Sequence, residues 1–415
     1  MLDRFMEKTI AKGRLVLCLP NGRRHAAGDG TGPKVTLRFA NWRTMLGVLF
    51  NPHLRLGEAY MDGTLILEEG DVYDLLSLLA LNASQGYGNQ WFAFLGRLRR
   101  AWRRVQQFNP AFRARRNAAH HYDIDGRVYD LFLDRDRQYS CAYFSDPEMT
   151  LDAAQAAKKA HIARKLCLAP GQSVLDIGCG WGGLALDLAG VEGAKVTGIT
   201  LSQAQLRVAE EKALRRGLAS RVDFRLADYR ALKGPFDRIV SVGMFEHVGV
   251  GYYRTFFNQV ARLLTQNGVA LIHSIGRSDG PGATNPWIAK YIFPGGYIPA
   301  LSEILPHIER AGLVLTDIEV WRLHYAETLA HWRRRFAQNR AKAAQWIDER
   351  FCRMWEFYLA ASEASFRWGG MVVYQLQVAR VQDAVPLTRD YLYVSSEPAV
   401  EEQAIPWRGQ RTIPS

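Results

Sequence analysis

The residues Gly178-Cys179-Gly180-Trp181-Gly182-Gly183 place four glycines in six positions, directly after the apolar run Val174-Leu175-Asp176-Ile177. A strand running into such a turn and on into a helix lets the backbone approach a ligand where side chains would block it. Gly178, Gly180 and Gly183 satisfy G-x-G-x-x-G, so a dinucleotide has to be weighed. That reading expects an acid at the tip of the next strand to hold a ribose. The residues there are Gly198-Ile199-Thr200-Leu201-Ser202, with no acid. A tight turn with no ligand is the plainer alternative, and the glycine density argues against it. A second set of chemically able residues lies further on: Glu246 and His247 after an apolar strand, and His273 within another. Alone, the first two read as an ordinary strand-end pair and His273 as a satisfied core histidine.

The acid missing from the second strand sits instead just before the glycine turn, at Asp176, as in the first motif of the S-adenosylmethionine-dependent methyltransferases. The wider pattern therefore favours S-adenosylmethionine over a nicotinamide cofactor.

Composition bounds the remaining possibilities. The chain has 415 residues, enough for two domains, and 48% are apolar, which favours a globular class. Lys and Arg exceed Asp and Glu by 53 to 41, a net charge of +12, so an anionic partner is expected, nucleic acid or a membrane surface. The five cysteines have no C-x-x-C spacing, which speaks against a zinc ribbon or disulfide framework and for a reducing, cytoplasmic compartment. The N-terminal apolar run Leu15–Leu19 ends at Pro20, too short for a signal peptide. No stretch approaches the roughly 18 apolar residues needed to span a bilayer.

The elements that must position these residues follow from the apolar pattern. Residues 1–95 read as a small α+β unit: a strand over Val35–Phe39, a strand, turn and strand over Leu54–Leu67, and a helix over Val72–Ala80 capped by Asp71. Residues 96–118 read as a basic linker helix. Arg97, Arg99, Arg100, Arg103, Arg104, Arg113, Arg115 and Arg116 are interleaved there with Trp102, Val105, Phe108 and Phe112. This segment is either a solvated linker or an amphipathic helix that lies on anionic lipid. No zinc finger or RNA-recognition signature supports nucleic acid. Over 119–384 strands alternate with helices, at Ser173–Ile177, Lys195–Thr200, Val222–Leu226, Asp237–Val242 and Val269–Ile275. A helical run follows over Gln338–Arg367, then a last strand over Met371–Arg380. This pattern predicts an α/β fold with a mostly parallel sheet and helices on both faces. Residues 385–415 read as a tail.

At the motif level the second half resembles the cyclopropane fatty-acyl-phospholipid synthases and the related mycolic-acid cyclopropane synthases. The matching stretches are His121-Tyr122-Asp123, QYSCAYF from Gln138, LDIGCGWGG from Leu175, GITLSQAQ from Gly198, FDRIVSVGMFEHVG from Phe236, LIHSIG from Leu271, KYIFPGG from Lys290 and HYAETLAHW from His324. Residues 1–95 resemble the extra domain of the bacterial phospholipid enzymes, mainly through PHLRLGEAYMDG from Pro52.

The resemblance implies a class I S-adenosylmethionine methyltransferase (Rossmann-like) with an N-terminal domain expected to bind lipid. It implies transfer of a methyl group to the cis double bond of an unsaturated phospholipid acyl chain, through a carbocation that a bound bicarbonate ion deprotonates to close a cyclopropane ring. Matched motifs assign the bicarbonate site to Cys141, Glu246, His273, Ile275 and Tyr325. His273 and Tyr325 would donate hydrogen bonds, Ile275 and Cys141 would contribute backbone groups, and Glu246 would accept the ion's proton. They assign the cofactor shell to Tyr139, Ser140, Asp176, Gly178, Gly180, Gly182, Thr200, Leu201, Gln205 and Tyr229. Aromatic faces for a transient cation are offered by Tyr143, Phe144, Trp287, Tyr291, Phe293 and Tyr297. The implied setting is cytoplasmic, peripheral to the inner membrane face, with a homodimer as an option.

Two departures stand out. The family has Gly-Asn after HYD-x, whereas Ile124 is followed by Asp125-Gly126-Arg127; many members have Cys where Ser362 stands. A nucleophilic cysteine therefore has no support, and Cys141 reads as a structural contact. Three other functions stay open: the same chemistry ending in a methylene- or methyl-branched chain, a methyltransferase for a small acceptor, and a non-catalytic lipid-binding protein.

Overall fold

Two sheets organise the chain in the computed structural model, which describes residues 2–87 and 126–393. The arginine-rich stretch 97–116, the motif at 121–123 and the tail beyond 393 lie outside the described residues.

The first sheet has the order β2-β1-β3-β4, from β1 (Arg14–Cys18), β2 (Arg24–Ala27), β3 (Lys34–Phe39) and β4 (Leu65–Glu69). The short apolar run at Leu15 is the buried strand β1, paired in parallel with β3. Strand, turn and strand over Leu54–Leu67 is overturned: Pro52–Met61 is a helix and only β4 is extended. Pro52 suits the first helical turn, where its missing N–H costs nothing. Gly57 is a contact point, since a Cβ there would come within 2.5 Å of Trp287 Nε1. The following helix, Val72–Ser84, starts at Asp71, whose side chain accepts from Asp74 N–H at 2.9 Å while Asp74 accepts from Asp71 N–H at 3.0 Å.

The second sheet has the order β10-β11-β9-β8-β5-β6-β7. Its parallel part is β5 (Ser173–Ile177), β6 (Lys195–Thr200), β7 (Val222–Leu226), β8 (Phe236–Val242) and β9 (Leu264–Arg277). Largely buried on both faces, the inner strands read as apolar runs, while the edge strand β7 alternates buried and exposed residues. β10 (Val314–Trp321), which has no counterpart in the sequence reading, and β11 (Met371–Ala379) add an antiparallel edge. The expected helix over Gln338–Arg367 is two helices, His324–Trp346 and Glu349–Trp368. They are separated where the Asp348 side chain accepts from Phe351 N–H at 2.6 Å.

β5 lies between β6, which continues the sheet in one direction, and β8, which continues it in the other. Ligands of open α/β sheets bind beyond the carboxyl ends of the strands at such a switch. The Glu349–Trp368 helix packs against both Val72–Ser84 and Pro52–Met61, joining the two sheets' surroundings. Polar contacts reinforce that seam. Glu58 accepts from Lys290 Nζ at 2.7 Å and from Tyr291 OH at 2.9 Å, and Trp287 Nε1 donates to Met61 Sδ at 3.3 Å.

Candidate active site

Two adjoining cavities open at the carboxyl ends of β5, β6, β8 and β9. The first is lined by the glycine turn, by Thr200, Leu201 and Gln205 after β6, by Tyr229, and by Tyr139 and Ser140. Gly178 takes φ +87° and Gly180 φ +55°, left-handed values that glycine adopts without strain. Gly180 lines this cavity, and a Cβ there would meet nothing within 4 Å. Both Gly178 and Cys179 N–H groups donate to Ile199 O at 2.9 Å, which pins the turn to β6. Thr200 Oγ1 donates to Gln205 Oε1 at 2.8 Å and accepts from Ser202 N–H at 3.1 Å, ordering the loop that holds no acid.

Asp176 is buried at the base of the turn, and its Oδ2 has no hydrogen-bond partner among the described residues. Burial pushes its pKa up to about 7, partly offset by the nearby Lys158 ammonium. A buried acceptor without a donor costs free energy until a ligand supplies one. Orphaned acid, open glycine cradle and amide-lined loop together fit the polar parts of S-adenosylmethionine. Gly182 is the exception among the expected shell. It lies outside this lining, and a Cβ there would come within 2.7 Å of Phe224 and 3.0 Å of Ala209. Its φ of +81° starts the Gly183–Gly190 helix, so its glycine serves the turn and the packing.

The second cavity has a volume of about 840 Å³ and is mostly apolar-walled. Cys141, Glu246, His273, Ile275 and Tyr325 all line it, gathered from well-separated places in the chain. Tyr139, Ser140, Gly243 and His247 line both cavities, so the two spaces meet.

Glu246 is 7% exposed; its Oε1 accepts from Ile275 N–H at 2.7 Å, and its Oε2 has no hydrogen-bond partner among the described residues. Burial raises its pKa to about 7 against the stabilising Ile275 N–H. The Ile275 amide is thus committed to the carboxylate that it aims. His273 Nδ1 lies 3.1 Å from Gln375 Nε2, its cross-strand neighbour on β11, and burial holds the imidazole well below its ordinary pKa, hence neutral. The same burial brings His247 down to about 4. Cys141 Sγ donates to Ala142 O at 3.3 Å, and burial pushes its thiol above the ordinary range, so it is no thiolate.

Of the six aromatic residues singled out in the sequence, Phe293 and Tyr297 line this cavity. Trp287 and Tyr291 instead face the N-terminal sheet's helices. Tyr143 stacks on His161 and His324, and Phe144 on His331, away from the lining. The sequence reading missed Tyr358 and Phe366 as lining residues and His247 as a shared wall. Tyr358 and Phe366 lie in an aromatic-rich helix where spacing alone does not tell cavity wall from core. Lys158 was also missed. It is fully buried, donates to Gln138 Oε1 at 2.7 Å and Ser140 Oγ at 2.9 Å, and holds the Tyr139–Ser140 wall in place. Burial lowers its pKa to about 7.

Residues 110–376 match the family model described as mycolic acid cyclopropane synthetase. The chain is 38% identical over 377 residues to a probable fatty acid methyltransferase of Pseudomonas putida, covering 88% of this chain and 93% of that protein. It is 39% identical over 359 residues to the cyclopropane-fatty-acyl-phospholipid synthase of Escherichia coli K12, covering 86% and 91%. A solved mycolic acid cyclopropane synthase, CmaA1 complexed with SAH and CTAB, is similar with a TM-score of 0.60 at 32% identity, over 66% of this chain and 99% of that one. Fold and site define a class I S-adenosylmethionine-dependent methyltransferase. Within that class, the chain belongs to the cyclopropane synthase family.

Proposed function

We propose that this methyltransferase acts on the cis double bond of an unsaturated phospholipid acyl chain held in the second cavity, and closes a cyclopropane ring there. The observation that carries the reading is that Cys141, Glu246, His273, Ile275 and Tyr325 line one largely apolar cavity that shares four wall residues with the cofactor cavity. We further propose that residues 1–95 form a lipid-facing domain, 96–118 a basic linker to anionic membrane, 119–384 the catalytic domain and 385–415 a tail.

Bound S-adenosylmethionine supplies an electrophilic methyl group. Asp176, Thr200 and Gln205 hold its polar groups, while Gly178 and Gly180 leave the room it needs. Tyr139 and Ser140, braced by Lys158, separate it from water. An alkene is a weak nucleophile, and its reaction leaves a carbocation on the chain. Phe293, Tyr325, Tyr358 and Phe366 offer ring faces to that cation, and the apolar walls exclude water that would trap it as an alcohol.

Bicarbonate, when bound, supplies the base that removes a proton from the new methyl group. The unpartnered Glu246 Oε2 is an acceptor for that ion's own hydrogen, and neutral His273 and the Tyr325 hydroxyl are donors of the kind an anion needs. These residues fit the ion, because the buried Glu246 oxygen gains the donor it lacks. Other anions of the same shape would compete for the place.

The test is mass spectrometry of lipids from cells expressing the protein and fed labelled methionine. A mass gain of one CH2 group with loss of the alkene signal is the expected result. A gain with no label, or no gain, refutes the reading. A methylene- or methyl-branched chain is the second product to look for. Loss of a proton from a neighbouring carbon would give a branched chain at the same mass change, identified by its retained unsaturation.

A further inference from the structure

We propose that the outer face of the Trp42–Phe50 helix inserts into the surface of a phospholipid bilayer and presents acyl chains to the second cavity. This inference rests on the reading of that cavity as an acyl site.

The helix has two opposed apolar faces. Met45 and Val48 are 6% and 9% exposed and enter the core around the first sheet. Trp42, Leu46 and Phe50, each one turn from the next, are 45%, 47% and 71% exposed. Residues four apart share a helix face, so these three form one continuous stripe. Single exposed apolar residues are ordinary on a protein surface, but a Trp-Leu-Phe stripe along a whole helix is not. The folded chain already satisfies this helix from within, so the stripe adds nothing to the core.

Charge and position select the occupant. The helix holds Arg43 and no acid. Arg55, exposed on the next helix and paired there with Glu58 at 2.8 Å, lies close by, its Cγ 3.9 Å from where a Cβ at Gly47 would lie. An apolar face with Trp and Phe, flanked by Arg, is the composition that settles at the headgroup boundary of anionic membrane. Asn51 ends this helix and caps Pro52–Met61, in whose first turn His53 lines the second cavity beside Pro286 and Ile288. Phe50 and His53 are three positions apart, so their Cα atoms are at most about 11 Å apart. With the stripe in the bilayer, the cavity wall lies at the lipid surface, and an acyl chain reaches it without crossing water.

The decisive experiment uses the full chain with Trp42→Ser, Leu46→Ser and Phe50→Ser combined. Sedimentation is measured with vesicles of mixed unsaturated phosphatidylglycerol and phosphatidylcholine at low and high salt. The triple variant should pellet about tenfold more weakly than the parent, and the deficit should persist at high salt because it is apolar. Turnover on vesicles should fall in step, while turnover on the same lipid in detergent micelles stays at the parental level, which also establishes that the variant folds. A variant with Arg99, Arg100, Arg103 and Arg104 changed to Gln should instead lose only salt-sensitive binding. Equal pelleting of triple variant and parent overturns the proposal. So does a triple variant that turns from dimer to monomer with vesicle binding intact, since a second copy would then be the occupant. If the parent modifies no unsaturated lipid even in micelles, the acyl reading falls, and the sedimentation result still decides the surface.

Discussion

The cofactor cavity and the second cavity share Tyr139, Ser140, Gly243 and His247, yet they are built by opposite means. About half of the first comes from one strand–turn–helix unit and the loop after the next strand, residues 176–205. Its key property is backbone shape: left-handed glycines, open space above Gly180, and a loop held by its own amides. The second gathers single side chains from His53 to Met371, and its key property is a few polar groups buried among apolar walls, with Glu246 Oε2 unpartnered among the described residues. The contrast teaches that a site for a large, fixed ligand can be encoded locally. A site that must hold an ion among apolar walls needs the whole fold to bring its few polar atoms together.

The largest expected effect strikes the local site. Gly180→Val puts a branched side chain into the cavity and demands φ +55° of a residue that strongly disfavours it. S-adenosylmethionine binding should be abolished, with calorimetry on a variant that still melts cooperatively as the check. Unchanged affinity would show that the turn is not the cofactor site.

Glu246→Gln attacks the second cavity and should leave the first alone. It keeps the side-chain shape but replaces an acceptor oxygen with a donor. Turnover should fall by about 10² or more, the scale of losing positioned acid–base help, while cofactor affinity barely changes. Bicarbonate stripping should slow the parent, and restoring the ion should rescue it. The variant also carries a pH signature that does not depend on turnover. Glu246 has its pKa raised from an ordinary 4.5 to about 7 in the folded state, so the native protein binds a proton that the unfolded chain has released. Its contribution to stability is therefore fully present below about 4.5 and is lost as pH rises toward 7. Relative to the parent, the Gln variant should gain thermal stability across that window and no more above it. A pH-independent difference in melting temperature would contradict the buried-acid assignment.

A smaller effect is expected one layer out. Gln375 faces His273 across the β9–β11 pairing, and its Oε1 is buried without a partner among the described residues. With its amide N–H toward Nδ1, the imidazole presents Nε2–H to the cavity. Gln375→Leu removes that bias and should cost about tenfold in turnover, in line with losses seen when outer partners of a functional histidine are removed. The loss should appear chiefly as a weaker dependence on bicarbonate. A ring-nitrogen NMR spectrum showing the same His273 tautomer in both proteins would remove Gln375 from the argument.

The same contrast explains what was legible in the sequence. β5 and β6 begin and end where the apolar runs do, because a doubly covered parallel strand has few alternatives to an apolar run, and the edge strand β7 is read from its alternation of buried Val222 and Phe224 with exposed Asp223 and Arg225. The glycine turn is readable because glycine at closely spaced left-handed positions has a backbone cause. The helix Pro52–Met61 went unread for the complementary reason: its Gly57 is needed for close packing on Trp287, far away in the chain, that no local pattern displays. β10 went unread because Thr316, Asp317 and Glu319 interrupt its apolar residues. The two carboxylates serve the buried Lys165 instead, Asp317 through an ion pair at 2.9 Å and Glu319 at 2.6 Å. The polar residues of the second cavity were reachable through motif resemblance, but neither the aromatic walls at Tyr358 and Phe366 nor the buried Lys158 was signalled by spacing.

The smallest effect sharpens the comparison most, because it separates lining a site from doing chemistry in it. Cys141 lines the second cavity with Glu246, and its neighbourhood is held by Ala142 N–H donating to Thr328 Oγ1 at 3.0 Å. A nucleophilic role requires a thiolate, and burial pushes this thiol the other way, with Lys158 opposing only in part. Its Sγ–H bond to Ala142 O is weak, and a hydroxyl makes such a bond at least as well. Cys141→Ser therefore exchanges sulfur for a smaller atom of the same hydrogen-bonding pattern. The cost is limited to packing, about 1 kcal/mol for the smaller apolar area that oxygen buries. Turnover should stay within about fivefold of the parent, with an unchanged pH profile, and a thiol-alkylating reagent should leave the parent's rate constant unaffected over minutes. If the Ser variant were inactive while still folding and binding cofactor, the sulfur would be part of the chemistry, and the second cavity would work through covalent attachment instead of a held ion.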